Sequence, residues 1–286
     1  MADLTTILVH VDETAHCPGR LAIAAALARK HNAELTAIYV LPPLFVPAMM
    51  GGEVSPSLIE VLEAQRKAGL AKAEVHFAGL KRDMPAAVWR VVDVEGTGIS
   101  GDIVPALASE ARRADLTVVG QAGPGEDDSN APGLIPEELV MRTGRPVLVV
   151  PYAGRFPTVG ERAILAWRDT RESARAMADA LPLLKQAKSV SVLAVGDSGE
   201  DVGIARAALA GVVRHLERHG VKAAADYVPG NDEATPGDIL LSRAADLNAD
   251  LIVMGAYGHS RFRELVLGGV TREILSSMTV PVLLSH

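Results

Sequence analysis

Four glycines, two arginines and a threonine near the C-terminal end carry the most specific chemistry in this 286-residue sequence. Gly255 closes a short apolar run, Gly258 follows after two residues, and Gly268 after nine more. Gly269, Val270 and Thr271 then open a helix pattern. An apolar strand that runs through glycines into a helix start presents backbone N–H groups at the positive end of a helix dipole, which favours phosphate oxygens. Glycine lets backbone come close to a ligand and tolerates positive φ. Thr271 adds a hydroxyl donor, and Arg261 and Arg263, between the glycines, add guanidinium groups suited to phosphate. The plain alternative is that these glycines only shape a strand–loop–helix connection.

Gly120, Gly123 and Gly133 repeat the spacing earlier in the chain, without the chemistry. Glu126, Asp127 and Asp128 stand where the later segment has arginines, and Pro136 replaces Thr271. Each carboxylate at about 6 Å from a phosphate charge costs about 1–3 kcal/mol. A triphosphate should therefore avoid this loop, and the three acids read as a solvated run rather than a metal site.

Other lookalikes are weaker. Gly96, Gly98 and Gly101 satisfy G-x-G-x-x-G between a strand pattern and a helix pattern, but in the third strand–helix unit of their half, so they read as a loop. The sequence has no Gly-Lys pair, which argues against a phosphate-loop ATPase. His215 and His219 lie four apart on one helix pattern that Gly220 ends, and read as a solvated pair favoured by the C-terminal dipole. His10 reads as a packed core or cleft residue within the first strand. Cys17 has no recognisable base partner, and nothing like G-x-S-x-G supports a nucleophile. No catalytic residue is expected, and at most slow turnover.

The elements that must position these residues come as a twofold repeat. The strand at 7–12 matches 163–168, and each leads into an Ala-rich helix, at 20–30 and 173–184. The segment at 33–40 matches 188–195. Gly101-Asp102-Ile103 matches Gly237-Asp238-Ile239, and Ala114-Asp115-Leu116 matches Ala249-Asp250-Leu251. Each half alternates strands with helices, and the strands are nearly unbroken β-branched runs, the pattern of parallel sheets covered on both faces. Hydrophobic residues are 49% and aromatics only 3%; mean hydropathy is +0.21. The expected domains are 1–152 and 161–286 with a Gly/Pro-bearing linker at 153–160. The first half carries extra sequence at 42–80, an apolar stretch followed by a long helix at 57–80. The stretch at 42–60 reads as a loop packed on its own domain, with a lid or partner-contact surface as the alternative. A formal charge of −7 argues against nonspecific nucleic-acid and membrane-surface binding, which needs clustered positive charge. One cysteine, no basic leader and no bilayer-length apolar window point to a cytoplasmic chain.

The glycine segment, the paired first strands and the closing Pro146-Val147-Leu148 and Pro281-Val282-Leu283 strands resemble the universal stress protein family, in a tandem two-domain form. The resemblance implies an α/β fold: two doubly wound five-stranded parallel sheets of order 3-2-1-4-5, adenine nucleotide alpha hydrolase-like, paired through their fifth strands as an intrachain pseudo-dimer, with room for a homodimer. It also implies binding or sensing of ATP or AMP, with Mg2+ if ATP, at Gly255, Gly258, Arg261, Arg263, Gly268, Gly269, Val270 and Thr271, with adenine near Ala194 and Val195. In the family an Asp closing the first strand accepts from the adenine amine. Asp12 fills that place in the first half, with Gly120, Gly123 and Gly133 as a degenerate phosphate side. Arg168, a donor only, fills it in the second. Gly269 also stands where the family has Ser or Thr. The alternative is a member that binds no nucleotide and acts as a protein-interaction scaffold. A third, weaker reading is an enzyme of adenylate chemistry.

Overall fold

The computed structural model describes residues 4–44, 55–94, 103–123, 135–196, 202–230, 234–256 and 269–286. The first half runs β1 (Thr6–His10), α1 (Cys17–His31), β2 (Glu34–Leu41), α2 (Pro56–Asp83), β3 (Val88–Asp93), α3 (Ile103–Ala111), β4 (Leu116–Gly120), α4 (Ile135–Thr143) and β5 (Val147–Val150). The second repeats the order as β6 (Arg162–Ala166), α5 (Arg171–Leu184), β7 (Ser189–Val195), α6 (Val202–Arg218), β8 (Ala223–Val228), α7 (Pro236–Asp246), β9 (Leu251–Gly255), α8 (Gly269–Ser277) and β10 (Val282–Ser285). The long α2 takes the place in its half that α6 takes in the other, with 28 residues against 17.

The strands form one sheet, β3-β2-β1-β4-β5-β10-β9-β6-β7-β8. Each half has the order 3-2-1-4-5 and is parallel throughout, and the halves meet at an antiparallel seam. There Val147, Leu148 and Val149 pair with Leu284, Leu283 and Val282. Joining two apolar edges in this way removes strands that would otherwise template aggregation. Period-two strands send alternate residues to opposite faces. Ile7, Val9, Leu116, Val118 and Leu148 pack against α1, α2, α5 and α6; Leu8, Val119, Val147 and Val149 pack against α3, α4, α7 and α8.

The repeated Ala-Asp-Leu motif has a structural cause. The Asp115 carboxylate accepts from Thr5 N (2.9 Å), Thr5 Oγ1 (2.7 Å) and Thr6 N (3.0 Å), tying the start of β4 to the start of β1. Asp250 accepts from Thr158 Oγ1 (2.6 Å), Glu161 N (3.1 Å) and Arg162 N (2.8 Å) and does the same for β9 and β6. Burial would raise the Asp115 carboxyl, but the hydrogen bonds from Thr5 and Thr6 outweigh it and hold it below the usual carboxylate range.

Side chains reach across the seam from both halves. Buried Gln121 donates through Nε2 to Leu275 O (2.8 Å) and Ser276 O (3.2 Å) at the end of α8, while its Oε1 accepts from Tyr152 N (3.2 Å). Those carbonyls have no partner within their own helix, so Gln121 is a C-cap supplied by the other domain. In the opposite direction Arg175 Nη2 donates to Gly144 O at 3.3 Å. Glu137 of α4 is buried, which pushes its carboxyl up, and Arg272 of α8 faces it with opposite charge.

Candidate functional site

In open parallel sheets ligands bind beyond the carboxyl ends of the strands, between the two that flank the switch in strand order. In the first half that crevice lies between β1 and β4, and Arg20 occupies it. Pro18 at the start of α1 and the Cys17 N–H to Thr14 O bond (3.2 Å) set the helix so that Arg20 turns inward. Arg20 is 3% exposed. Its Nε donates to His10 O (2.8 Å) and its Nη2 to Asp12 Oδ2 (2.7 Å). Thr14 completes the closure, donating to Asp12 Oδ1 from N (3.1 Å) and Oγ1 (2.6 Å). Both oxygens of the expected adenine acceptor are therefore bonded within the chain. A Cβ on Gly120 would fall on Arg20 Nη1, so in this half the first glycine of the motif makes room for a guanidinium.

The surroundings are electrostatically settled. Burial lowers the His10 imidazole to about 4; the Asp12 charge works against this and the Arg20 charge with it. Burial would raise the Asp12 carboxyl, but the Arg20 guanidinium, with His10 and the Thr14 and Arg20 hydrogen bonds, holds it far below the usual range. Burial pushes the Cys17 thiol up, so it is an inert neutral group. Beside them Thr14, His16, Gln121 and Tyr152 leave a cleft with room for about one water molecule. The rings of His16 and Tyr152 meet edge-on across it, 5.8 Å apart.

The neighbouring Glu13 turns the other way and accepts from Tyr39 Oη, in a space that Gly69 of α2 leaves open. Burial and Glu13 raise the Tyr39 hydroxyl, so it stays a donor. Tyr39, Trp89 and Phe77 stack beneath, with centroids 6.5 and 4.9 Å apart.

The second half is built differently at the same place. Trp167 N donates to Leu193 O (2.7 Å) as β6 ends, and Arg168 and Asp169 are exposed. The turn is locked by its own polar groups: Thr170 N donates to Arg168 O (2.7 Å), Arg168 N to Ser173 Oγ (3.3 Å), and Ser173 N to Thr170 Oγ1 (3.3 Å), an N-cap for α5. A Cβ on Gly255 would lie 2.5 Å from Glu172 C and 2.6 Å from Ser173 N. The close approach that Gly255 permits is thus made by the first turn of α5. Glu172 is buried, which would raise its carboxyl, but the Arg171 side chain bonded to it keeps it below the usual range.

Gly269 begins α8, and a Cβ added there meets none of the described residues within 4 Å. Val270 is half-buried against the core and Thr271 is buried. Ala194 and Val195 are half-buried at the end of β7, paired with Tyr227 and Val228. Gly258, Arg261, Arg263 and Gly268 lie outside the described residues, as do Gly133, the acids 126–128 and the glycines 96–101. The Gly237-Asp238 repeat serves the helix itself. Asp238 and Thr235 form a capping box at α7, and Gly237 leaves space for Glu273, which accepts from Thr235 Oγ1.

Arg20, Gln121 and the Glu13–Tyr39 pair are the site residues that sequence reasoning passed over. Arg20 carried a signal: it lies in phase with the buried Ala24 and Ala28, so a charged residue occupied the core-facing stripe of α1. Among the described residues no group of three or more His, Cys, Asp or Glu is placed to hold a metal ion, and no helix is long and apolar enough to cross a membrane.

The sequence matches the Universal stress protein family over residues 4–151 and again over 165–286. It is 27% identical over 237 residues to universal stress protein Slr1230 of Synechocystis sp., covering 81% of this chain and 78% of that protein. It is 23% identical over 302 residues to universal stress protein Rv1996 of Mycobacterium tuberculosis, covering 98% and 94%. Among solved structures, a universal stress protein from Archaeoglobus fulgidus superposes with a TM-score of 0.71 at 15% identity, over 98% of this chain and 95% of that one.

Proposed function

The chain belongs to the universal stress protein family, and from that premise we propose that it is a stress-response protein whose second domain binds an adenine nucleotide while its first domain is a closed partner. The observation that carries this reading is the contrast between the two crevices. In the first, Arg20 and Thr14 consume Asp12. In the second, a Cβ placed on Gly269 at the start of α8 meets none of the described residues within 4 Å. Phosphate oxygens would be held by the N–H groups at Gly269, Val270 and Thr271 with help from Arg261 and Arg263, and adenine would rest by Ala194 and Val195. Because Thr271 is buried, its part is the backbone N–H rather than the hydroxyl. Exposed Arg168 offers donors only, so it suits the ring nitrogens or phosphates and not the adenine amine. ATP would bring Mg2+, and AMP would not need it. Glu172, the buried carboxylate beside Gly255, is bonded to Arg171, which supports binding rather than turnover.

Mass spectrometry of small molecules released from the purified chain, with calorimetric titration of ATP and magnesium, tests this. Gly269→Leu should fold normally, since a Cβ there meets none of the described residues, and should lose the binding. Absence of both a copurified nucleotide and any ATP heat would overturn the proposal.

The second reading, a scaffold without nucleotide, is favoured by the packing of Gly255 against α5 and by the exposed Ile59, Val61 and Val75 along α2. Partner capture that Gly269→Leu leaves intact would support it.

A further inference from the structure

We propose that His215 and His219 form a surface site for a divalent transition cation of the imidazole-seeking class, Zn2+, Ni2+ or Cu2+. His215 lies in the last turn of α6 and His219 follows its end, where His219 N donates to Leu216 O (2.9 Å) and Gly220 turns the chain at φ 80°. Residues four apart share one helix face. Their ring centroids are 4.7 Å apart with planes at 66°.

That spacing matches two imidazoles on one ion. A metal–nitrogen bond of about 2.0–2.1 Å puts each centroid about 3.2 Å from the metal, and ligand angles of about 90–109° then separate the centroids by about 4.5–5.2 Å. The observed centroid separation falls within that range. His215 is exposed and His219 half-exposed, so an ion reaches them from solvent, with water filling its remaining positions. The carbonyl end of α6 supplies partial negative charge next to the pair. Arg214 points about 100° round the helix from His215, whereas Arg218, three residues after His215, lies about 60° from it and sets a positive charge beside the pair. Neutral imidazole suits zinc, nickel and copper, and the pair offers no carboxylate for magnesium or calcium. This site lies at the far end of the unit that follows β7 and does not depend on the nucleotide reading.

The test is calorimetric titration of the full chain with Zn2+, beside thermal melts with and without it. One Zn2+ per chain is expected, with a rise in Tm because the ion binds only the folded helix. His215→Gln and His219→Gln should each weaken binding at least tenfold and abolish the rise, while His76→Gln, on α2, should do neither. Circular dichroism of each variant reports that the exposed substitutions leave the fold intact. No saturable binding by the wild-type chain, or binding that survives either substitution within tenfold, overturns the proposal.

Discussion

Arg20 Nη2 stands 2.7 Å from Asp12 Oδ2, and this pair closes the crevice of the first domain. The buried guanidinium gives the Asp12 carboxylate a partner within the chain. It also explains why a loop without phosphate chemistry retains Gly120, since any side chain there would strike Arg20.

Arg20→Leu is expected to cost about 3–5 kcal/mol, because it removes the buried guanidinium partner of the half-buried Asp12 carboxylate. Urea unfolding would show this as a lower midpoint. Arg20→Lys should recover little, since lysine cannot bond both His10 O and Asp12 with a fixed fork. Combining Arg20→Leu with Asp12→Asn should be less damaging than the sum of the two, with a coupling of about 0.5–3 kcal/mol. Strict additivity would mean the pair does not hold the crevice shut.

Stability should fall with acid in two stages. His10 is lowered from 6.5 to about 4 in the folded chain, so between those values the unfolded chain binds the extra proton. The His10 contribution is complete above pH 6.5 and is lost as pH falls to about 4, by roughly 3 kcal/mol in all. Asp12 and Asp115 are depressed carboxylates, whose contribution persists above their unfolded values and is lost below about pH 4. In His10→Phe the upper stage should flatten and the lower stage remain, as read from denaturant midpoints across pH 7 to 3. An unchanged upper slope would show that His10 is not the group responsible.

Gln121→Ala should destabilise by about 1–3 kcal/mol, by leaving Leu275 O, Ser276 O and Tyr152 N without their partner. Gln121→Glu should be worse than alanine, because a carboxylate donates nothing and meets the negative end of α8. Hydrogen exchange should quicken around 152 and 275–278 before it does elsewhere. Equal stability of the glutamate and alanine variants would argue that the contact across the seam is incidental.

The architecture was legible where one repeat could be laid on the other. Matching strands at 7–12 and 163–168, and the closing Pro-Val-Leu segments, imply two five-stranded halves; pairing through the fifth strands was implied by the family resemblance alone, and the antiparallel direction of that seam comes from the structure. Asp115 and Asp250 were visible as a repeated motif, though their role in tying neighbouring strands appears only with β1 and β4 side by side. Gln121 was not legible, because its partners are 154 and 155 residues away and its counterpart in the other half is Ala256. The Tyr39–Trp89–Phe77 stack draws on β2, β3 and α2 and leaves no periodic trace. Gly255 was readable as a point of close approach, but a strand-end glycine does not disclose whether a ligand or a helix approaches it.

Gly255 and Gly269 belong to one motif, and the structure gives them opposite tolerances. Gly255→Ala would set a methyl 2.5 Å from Glu172 C and 2.6 Å from Ser173 N, both backbone atoms that cannot swing aside. It should destabilise by about 1–3 kcal/mol as overpacking does. The Gly269→Ala methyl meets none of the described residues within 4 Å and should change stability by no more than about 0.5 kcal/mol. Thermal melts of the two variants separate helix packing from ligand contact. If Gly255→Ala melts like the wild type yet loses ATP binding, the glycine serves a ligand and α5 has yielded to the methyl. If it melts lower while Gly269→Ala keeps its Tm and Gly269→Leu loses only ATP, then the first glycine of the motif holds the fold and the nucleotide is held at the start of α8.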